Sequence, residues 1–186
     1  MRDHGVDWGS LRTRDGVGVD PGLVRALLYA PDAGSGGKAS DQLEGLAFYS
    51  RYLEEAALPV MRVLVDAVCD GECTYWGTVY AMDALVELTC ECDSARPELD
   101  GTDLPDRCRA VVRTHLLRLY QMLDETTDDT VLSNLITIVC NVEDDTPTRR
   151  ALLEKLSHRD LDVLSADEVS RQLAKEHQRQ EKYGWN

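Results

Sequence analysis

Aromatic residues make up only 6% of this 186-residue chain, and phenylalanine occurs once. The interior must therefore be built from Leu, Val and Ala. Lysine is also scarce, with 4 against 16 arginines, and 20 bases face 34 acids, a formal net charge of −14. That balance argues against a free-standing nucleic-acid binder, whose phosphate contacts need clustered Lys and Arg. It points instead to a protein partner with a basic surface. No apolar run approaches the roughly 18 residues that a membrane span requires, so no membrane partner is expected. The segment MRDHGVDWGS lacks the basic-then-apolar pattern of a secretory signal, and the expectation is a cytoplasmic protein. Six cysteines are present, but a chain this long can bury a core without disulfides. Hydrophobic residues at 43% and charged residues at 29% are ordinary for a folded chain.

The acidity is concentrated. Residues 41–145 hold 22 Asp and Glu against 7 Arg and no Lys, so the remainder of the chain is close to neutral. The acids gather between apolar segments: Asp70 with Glu72, Glu91 with Asp93, and Asp100 with Asp103 and Asp106. Two further groups are Asp124, Glu125, Asp128 and Asp129, then Glu143, Asp144 and Asp145. Each cluster alone reads as a solvated loop or a helix cap. Together they make a binding face only if the fold brings them to one side.

Helical spacing dominates the rest. Pro21 follows Asp20 and opens a short amphipathic helix carrying Leu23, Val24, Leu27 and Leu28. Residues 31–39, rich in glycine, read as a loop, with Ser40 capping a helix that reaches Leu53. Further helices are expected over 54–69, 75–92, 105–123, from Asp128 or Asp129 to Val142, and from Thr146 to Ser157. A charged helix with Val169 and Leu173 as anchors covers 166–182. No segment alternates with period two. The organisation expected is an all-α domain over 1–165 and a charged C-terminal helix or tail over 166–186.

Two of these helices align at an offset of 50 residues. Leu85 pairs with Leu135, Val86 with Ile136, Leu88 with Ile138 and Cys90 with Cys140. A period of 40–50 residues with two helices per unit marks a HEAT-type array. The N-terminal part adds Trp8, Leu11, Gly16, Asp20, Pro21, the run Leu23 to Leu28 and Pro31–Asp32. These are followed by helices with Leu43 and Leu46, and with Ala56, Ala57, Pro59 and Val60. This pattern, over residues 8–145, resembles a group of actinobacterial HEAT-repeat proteins, and the excess of Arg over Lys suits a GC-rich genome. The sequence departs from that group at Tyr49–Tyr52, where a small polar or His-containing turn is more usual. The resemblance implies a short HEAT-like α-solenoid of antiparallel helix pairs. Several proteins of the group look like immunity proteins, which implies inhibition of a secreted bacterial toxin domain.

A repeat of this kind exposes the second helix of each pair. On the helix from Tyr75, one face carries Trp76, Tyr80, Asp83, Glu87 and Glu91. The positions 50 residues later are Thr126, Thr130, Ser133, Thr137 and Asn141. With Asp124, Glu125, Asp128, Asp129, Glu143, Asp144 and Asp145, these form the expected partner-binding surface: aromatics as anchors and carboxylates for steering. An acidic inhibitor suits a toxin acting on nucleic acid, because such active sites are basic. The alternatives are an adaptor for a host protein and a cysteine-based metal protein.

Chemistry is otherwise thin. The spacing of Cys69, Cys73, Cys90, Cys92, Cys108 and Cys140 matches no standard zinc motif, and Cys69, Cys90 and Cys140 lie in apolar stripes. His4, His115, His158 and His177 are scattered, and no phosphate loop or calcium loop is formed. The expectation is no cofactor, no metal and no catalysis.

Overall fold

The computed structural model describes residues 5–16, 18–90, 92–100 and 102–183. The chain is mostly helical. After a single turn at Trp8–Ser10 come α1 (Pro21–Leu28), α2 (Ala33–Ala47), β1 (Phe48–Tyr49), β2 (Tyr52–Leu53), α3 (Ala57–Asp70) and α4 (Tyr75–Thr89). Then follow β3 (Asp93–Ser94), α5 (Pro97–Asp100), α6 (Leu104–Arg113), α7 (Leu116–Glu125), α8 (Asp129–Val142), α9 (Thr146–Ser157) and α10 (Val163–Tyr183).

Aspartates start three of these helices by satisfying free N–H groups. The Asp20 side chain accepts from Gly22 N at 2.8 Å, Asp32 from Ser35 N at 2.8 Å and Asp128 from Val131 N at 2.9 Å. Arginines close several helix ends. Arg109 Nη1 donates to Cys90 O (3.1 Å), Arg113 Nε to Val142 O (2.7 Å) and Arg159 Nη1 to Leu123 O (2.6 Å). A planar, multi-donor guanidinium can reach a carbonyl of one helix while paired elsewhere, which a lysine does less well. This gives the excess of Arg over Lys a structural use.

Helices α2, α4, α8 and α10 stand side by side in that order, each packed on the next. Four consecutive pairs, α1 with α2, α3 with α4, α7 with α8 and α9 with α10, also pack together, and α6 contacts α3, α4 and α8. The core between them is aliphatic, as the composition requires. Leu27, Leu28, Leu43, Leu64, Leu85, Leu119 and Leu123 are wholly buried, with Met61 and Met82 beside them. The repeated positions match in burial at Leu85 and Leu135 and at Leu88 and Ile138.

Four local expectations fail for identifiable reasons. The glycine-rich stretch 33–39 is not a loop but the first half of α2, capped by Asp32 rather than Ser40. A Cβ on Gly36 would lie 2.3 Å from Tyr80 Cδ2, so glycine is needed there for α2 to approach α4. That helix ends at Ala47, and the residues expected to continue it form β1 and β2. The helix expected over 105–123 is broken at Thr114 and His115 into α6 and α7. At the break Thr114 Oγ1 donates to Val111 O, and His115 Nε2 lies 2.8 Å from Asp66 Oδ1 of α3. Finally, a three-stranded sheet of two-residue strands interrupts the helices. β1 pairs antiparallel with β2, and β2 parallel with β3.

Helix α10 starts three residues earlier than expected and packs on α8 and α9. Its inner face is polar. Glu168 accepts from Thr137 Oγ1 (2.6 Å) and Gln172 Nε2 (2.6 Å), and Glu176 accepts from Arg149 Nε (2.7 Å). These side chains are buried, so α10 is held by matched polar groups together with Val169 and Leu173.

Candidate functional site

The small sheet is the starting point. Ser50 (φ 47°) and Arg51 (φ 74°) form its hairpin tip, both in the left-handed region. A two-residue hairpin favours that geometry at both positions, but non-glycine residues adopt it at a cost of about 1–3 kcal/mol each. The turn is held by Asp93 N donating to Arg51 O (3.0 Å) and Ala95 N to Leu53 O (2.8 Å). It projects Tyr49 and Tyr52, 47% and 53% exposed, and the Arg14 guanidinium stands 4.2 Å over the Tyr49 ring. The resemblance was weakest at this segment, and here the chain presents exposed aromatics.

Beside the hairpin lies a cleft of about 350 Å³ between α2 and α4. Glu44, Asp83 and Glu87 line it, with Ser40, Phe48, Ser50 and Arg51. Glu44, Asp83 and Glu87 are exposed. Asp83 Oδ1 accepts from Asn134 Nδ2 of α8 at 2.6 Å, which orients it without neutralising it. Three carboxylates against one arginine form a groove suited to a cationic protein segment, bordered by the hairpin that also carries Tyr49 and Tyr52.

The other expected residues divide. Tyr80 is half-buried against Gly36 and Gly37 of α2, and Trp76 is half-buried between Tyr75 (5.0 Å between ring centroids) and Tyr80 (6.5 Å). Tyr75, 54% exposed, is the open aromatic of this trio, and its hydroxyl donates to Asp128 Oδ2. Glu91 lies outside the described residues. On α8, Thr130 and Ser133 are half-buried, Thr137 is buried beneath α10, and Asn141 Nδ2 donates to Thr89 Oγ1. The α8 face is therefore not a continuation of an open ridge on α4, because α10 lies across it.

The acidic clusters have local partners. Asp124 pairs with Lys155, Glu125 with Arg118 and Asp144 with Arg113. Asp129 accepts from Leu164 N and Ser165 N at the start of α10, and the Ser165 hydroxyl bond foremost holds its pKa below the usual value. Glu143 accepts from the Tyr120 hydroxyl, and Asp145 from Thr148 Oγ1. The residues missed from the sequence are Glu44, Tyr49, Tyr52 and Tyr75. For Glu44 the misread glycine-rich helix concealed its face.

A second, larger cleft of about 1010 Å³ has the opposite character. Arg51, Arg109, Arg149, Lys175, Arg179 and Lys182 line it, together with Glu143 and Asp144 and the thiols of Cys90, Cys92 and Cys140. In a chain of net charge −14 this concentration of cations is local, assembled from four separate parts of the sequence.

Among the described residues no three His, Cys, Asp or Glu side chains gather as a metal site, and all six cysteines are free. Burial pushes the thiols of Cys69, Cys108 and Cys140 up to about 12, so they behave as packing groups. No described helix is long and apolar enough to cross a membrane. No family model matches the chain, and comparison with curated proteins and with solved structures finds no match.

Proposed function

We propose that this chain is a non-catalytic protein-binding module, a short HEAT-like solenoid of antiparallel helix pairs. In this reading it acts in the cytoplasm as an immunity protein, neutralising a cognate bacterial toxin by docking acidic surface on a basic toxin surface. The serial packing of α2, α4, α8 and α10, each with a preceding helix against it, supports the solenoid reading. The observation that carries the binding reading is the acidic groove between α2 and α4, with Glu44, Asp83 and Glu87, bordered by the hairpin on which Tyr49 and Tyr52 are exposed. Carboxylates accelerate encounter with a basic partner, and rigid tyrosines supply contact area once it has docked. A strained, hydrogen-bonded hairpin keeps those tyrosines in place before the partner arrives, which lowers the ordering cost of binding.

The test is recovery of the tagged protein with its partner, followed by expression of that partner alone. The proposal expects one stoichiometric partner with a basic domain that arrests growth alone and is tolerated when both are expressed. It also expects binding that weakens as salt shortens the Debye length below about 10 Å. A partner that is harmless alone, or binding indifferent to salt, overturns it.

A further inference from the structure

The large cationic cleft holds chemistry that the binding groove does not use. Cys90 Sγ and Cys92 Sγ lie 3.0 Å apart, both half-buried on its wall. Cys90 ends α4, where its carbonyl is held by Arg109 and its S–H donates to Glu87 O at 2.9 Å. Arg51, placed by the hairpin, lines the same cleft and favours the charged form of both sulfurs, against the larger opposing effect of the Glu87 carboxylate. Arg51 and Arg109 thus line the cleft beside a thiol pair already in contact, and the cleft is large enough for a small peptide-like molecule.

We propose that Cys90 and Cys92 form a thiol–disulfide exchange site for a low-molecular-weight disulfide carrying carboxylates, drawn in by the cations of this cleft. Cys90 as thiolate attacks one sulfur of the incoming disulfide. That S–S bond breaks, the first thiolate leaves and takes up a proton, and a mixed disulfide remains on Cys90. Cys92 then loses its proton and attacks the Cys90 sulfur, expelling the second thiolate, which is protonated in turn. Two cysteine thiols are oxidised to one disulfide, and one external disulfide is reduced to two thiols.

The order follows from the pair's contact. Either sulfur can donate in this contact; with Cys92 as the donor, the shared hydrogen bond holds the Cys90 thiol below its usual range, while the same bond and burial push Cys92 up. Cys69, Cys108 and Cys140, raised to about 12, are expected to stay reduced. The two clefts adjoin at Arg51, which lines both, but the disulfide map reads Cys90 and Cys92 and the partner test reads Glu44, Asp83 and Glu87, so either reading can fail without the other.

The experiment treats the reduced full-length protein with glutathione disulfide, and separately with the uncharged 2-hydroxyethyl disulfide, and maps the products by mass spectrometry. The expected product is a Cys90–Cys92 disulfide, and Cys92→Ser is expected to stop at a glutathione adduct on Cys90. Arg51→Glu should slow reaction with glutathione disulfide by about tenfold, the low end of electrostatic steering, and leave the uncharged reagent unaffected. Oxidation of other cysteines before these two, absence of the Cys90–Cys92 bond in the wild type, or equal slowing of both reagents overturns the proposal. Because the wild-type map stands alone, a variant that fails to fold does not spare it.

Discussion

Replacing Arg149 with alanine tests whether α10 is an integral part of the fold. Arg149 and Glu176 are 9% and 5% exposed, and Arg149 Nε lies 2.7 Å from Glu176 Oε1. Arg149 Nη1 also donates to Glu143 O at the end of α8, so one guanidinium ties α8, α9 and α10 together. Removing one member of a buried pair costs about 3–5 kcal/mol, because the remaining charge stays buried. Here Arg179, half-exposed, still reaches the same carboxylate oxygen at 3.2 Å, which places the expected loss near the lower end, about 3 kcal/mol. At about 2–4 °C per kcal/mol for a chain of this size, the melting temperature falls by about 6–12 °C. Urea unfolding measures the loss directly. Arg149→Met with Glu176→Leu removes both charges and is expected to recover most of the stability. A loss below about 1 kcal/mol for Arg149→Ala, or a double variant less stable than the single one, refutes the argument.

Gly36→Ala places a methyl group 2.3 and 2.5 Å from two Tyr80 ring atoms and should cost about 1–3 kcal/mol in urea unfolding. The same methyl should be tolerated when Tyr80 is replaced by alanine. Acid should weaken the α10 contact. Burial alone would raise the pKa of Glu176, but the Arg149 hydrogen bond and the charges of Arg149 and Arg179 outweigh it and hold it below its ordinary 4.5. A carboxylate with a lowered folded pKa stabilises the protein above that ordinary value, and the contribution is lost as pH falls through the folded pKa. Urea stability should therefore fall through the acid range, with a shallower fall in Glu176→Gln. An equal fall in the two proteins contradicts this assignment.

The legible parts of the fold are those that local rules determine. Asp20 with Pro21, Asp128 before the run from Val131, and Thr146 announce α1, α8 and α9. The paired positions Leu85 and Leu135 or Leu88 and Ile138 could be found because packing neighbours leave matching apolar stripes. What stayed hidden depends on residues distant in sequence. Gly36 and Gly37 look like loop formers until Tyr80, more than forty residues later, is placed against them. The break at Thr114–His115 depends on Asp66 of another helix, and two-residue strands are too short to alternate. For the site, Asp83 and Glu87 were readable on one helical face, but Glu44 beside them was not. Acids such as Asp124, Asp128 and Asp129 looked available as a group, yet each caps a helix or pairs with a base in the folded chain. The cationic cleft could not be read, since its charges come from α6, α9, α10 and the hairpin and meet only on folding.

The most direct test of the acidic-groove account is charge reversal of Glu44, Asp83 and Glu87 to lysine together, with affinity for the purified partner measured by calorimetry. All three side chains are exposed, so the fold should survive, and an unchanged melting curve confirms that it does. The account predicts a loss of affinity of at least a hundredfold, about 2.7 kcal/mol, with the association rate falling most. Unchanged affinity in a folded triple variant would place the partner elsewhere on the molecule and contradict the account.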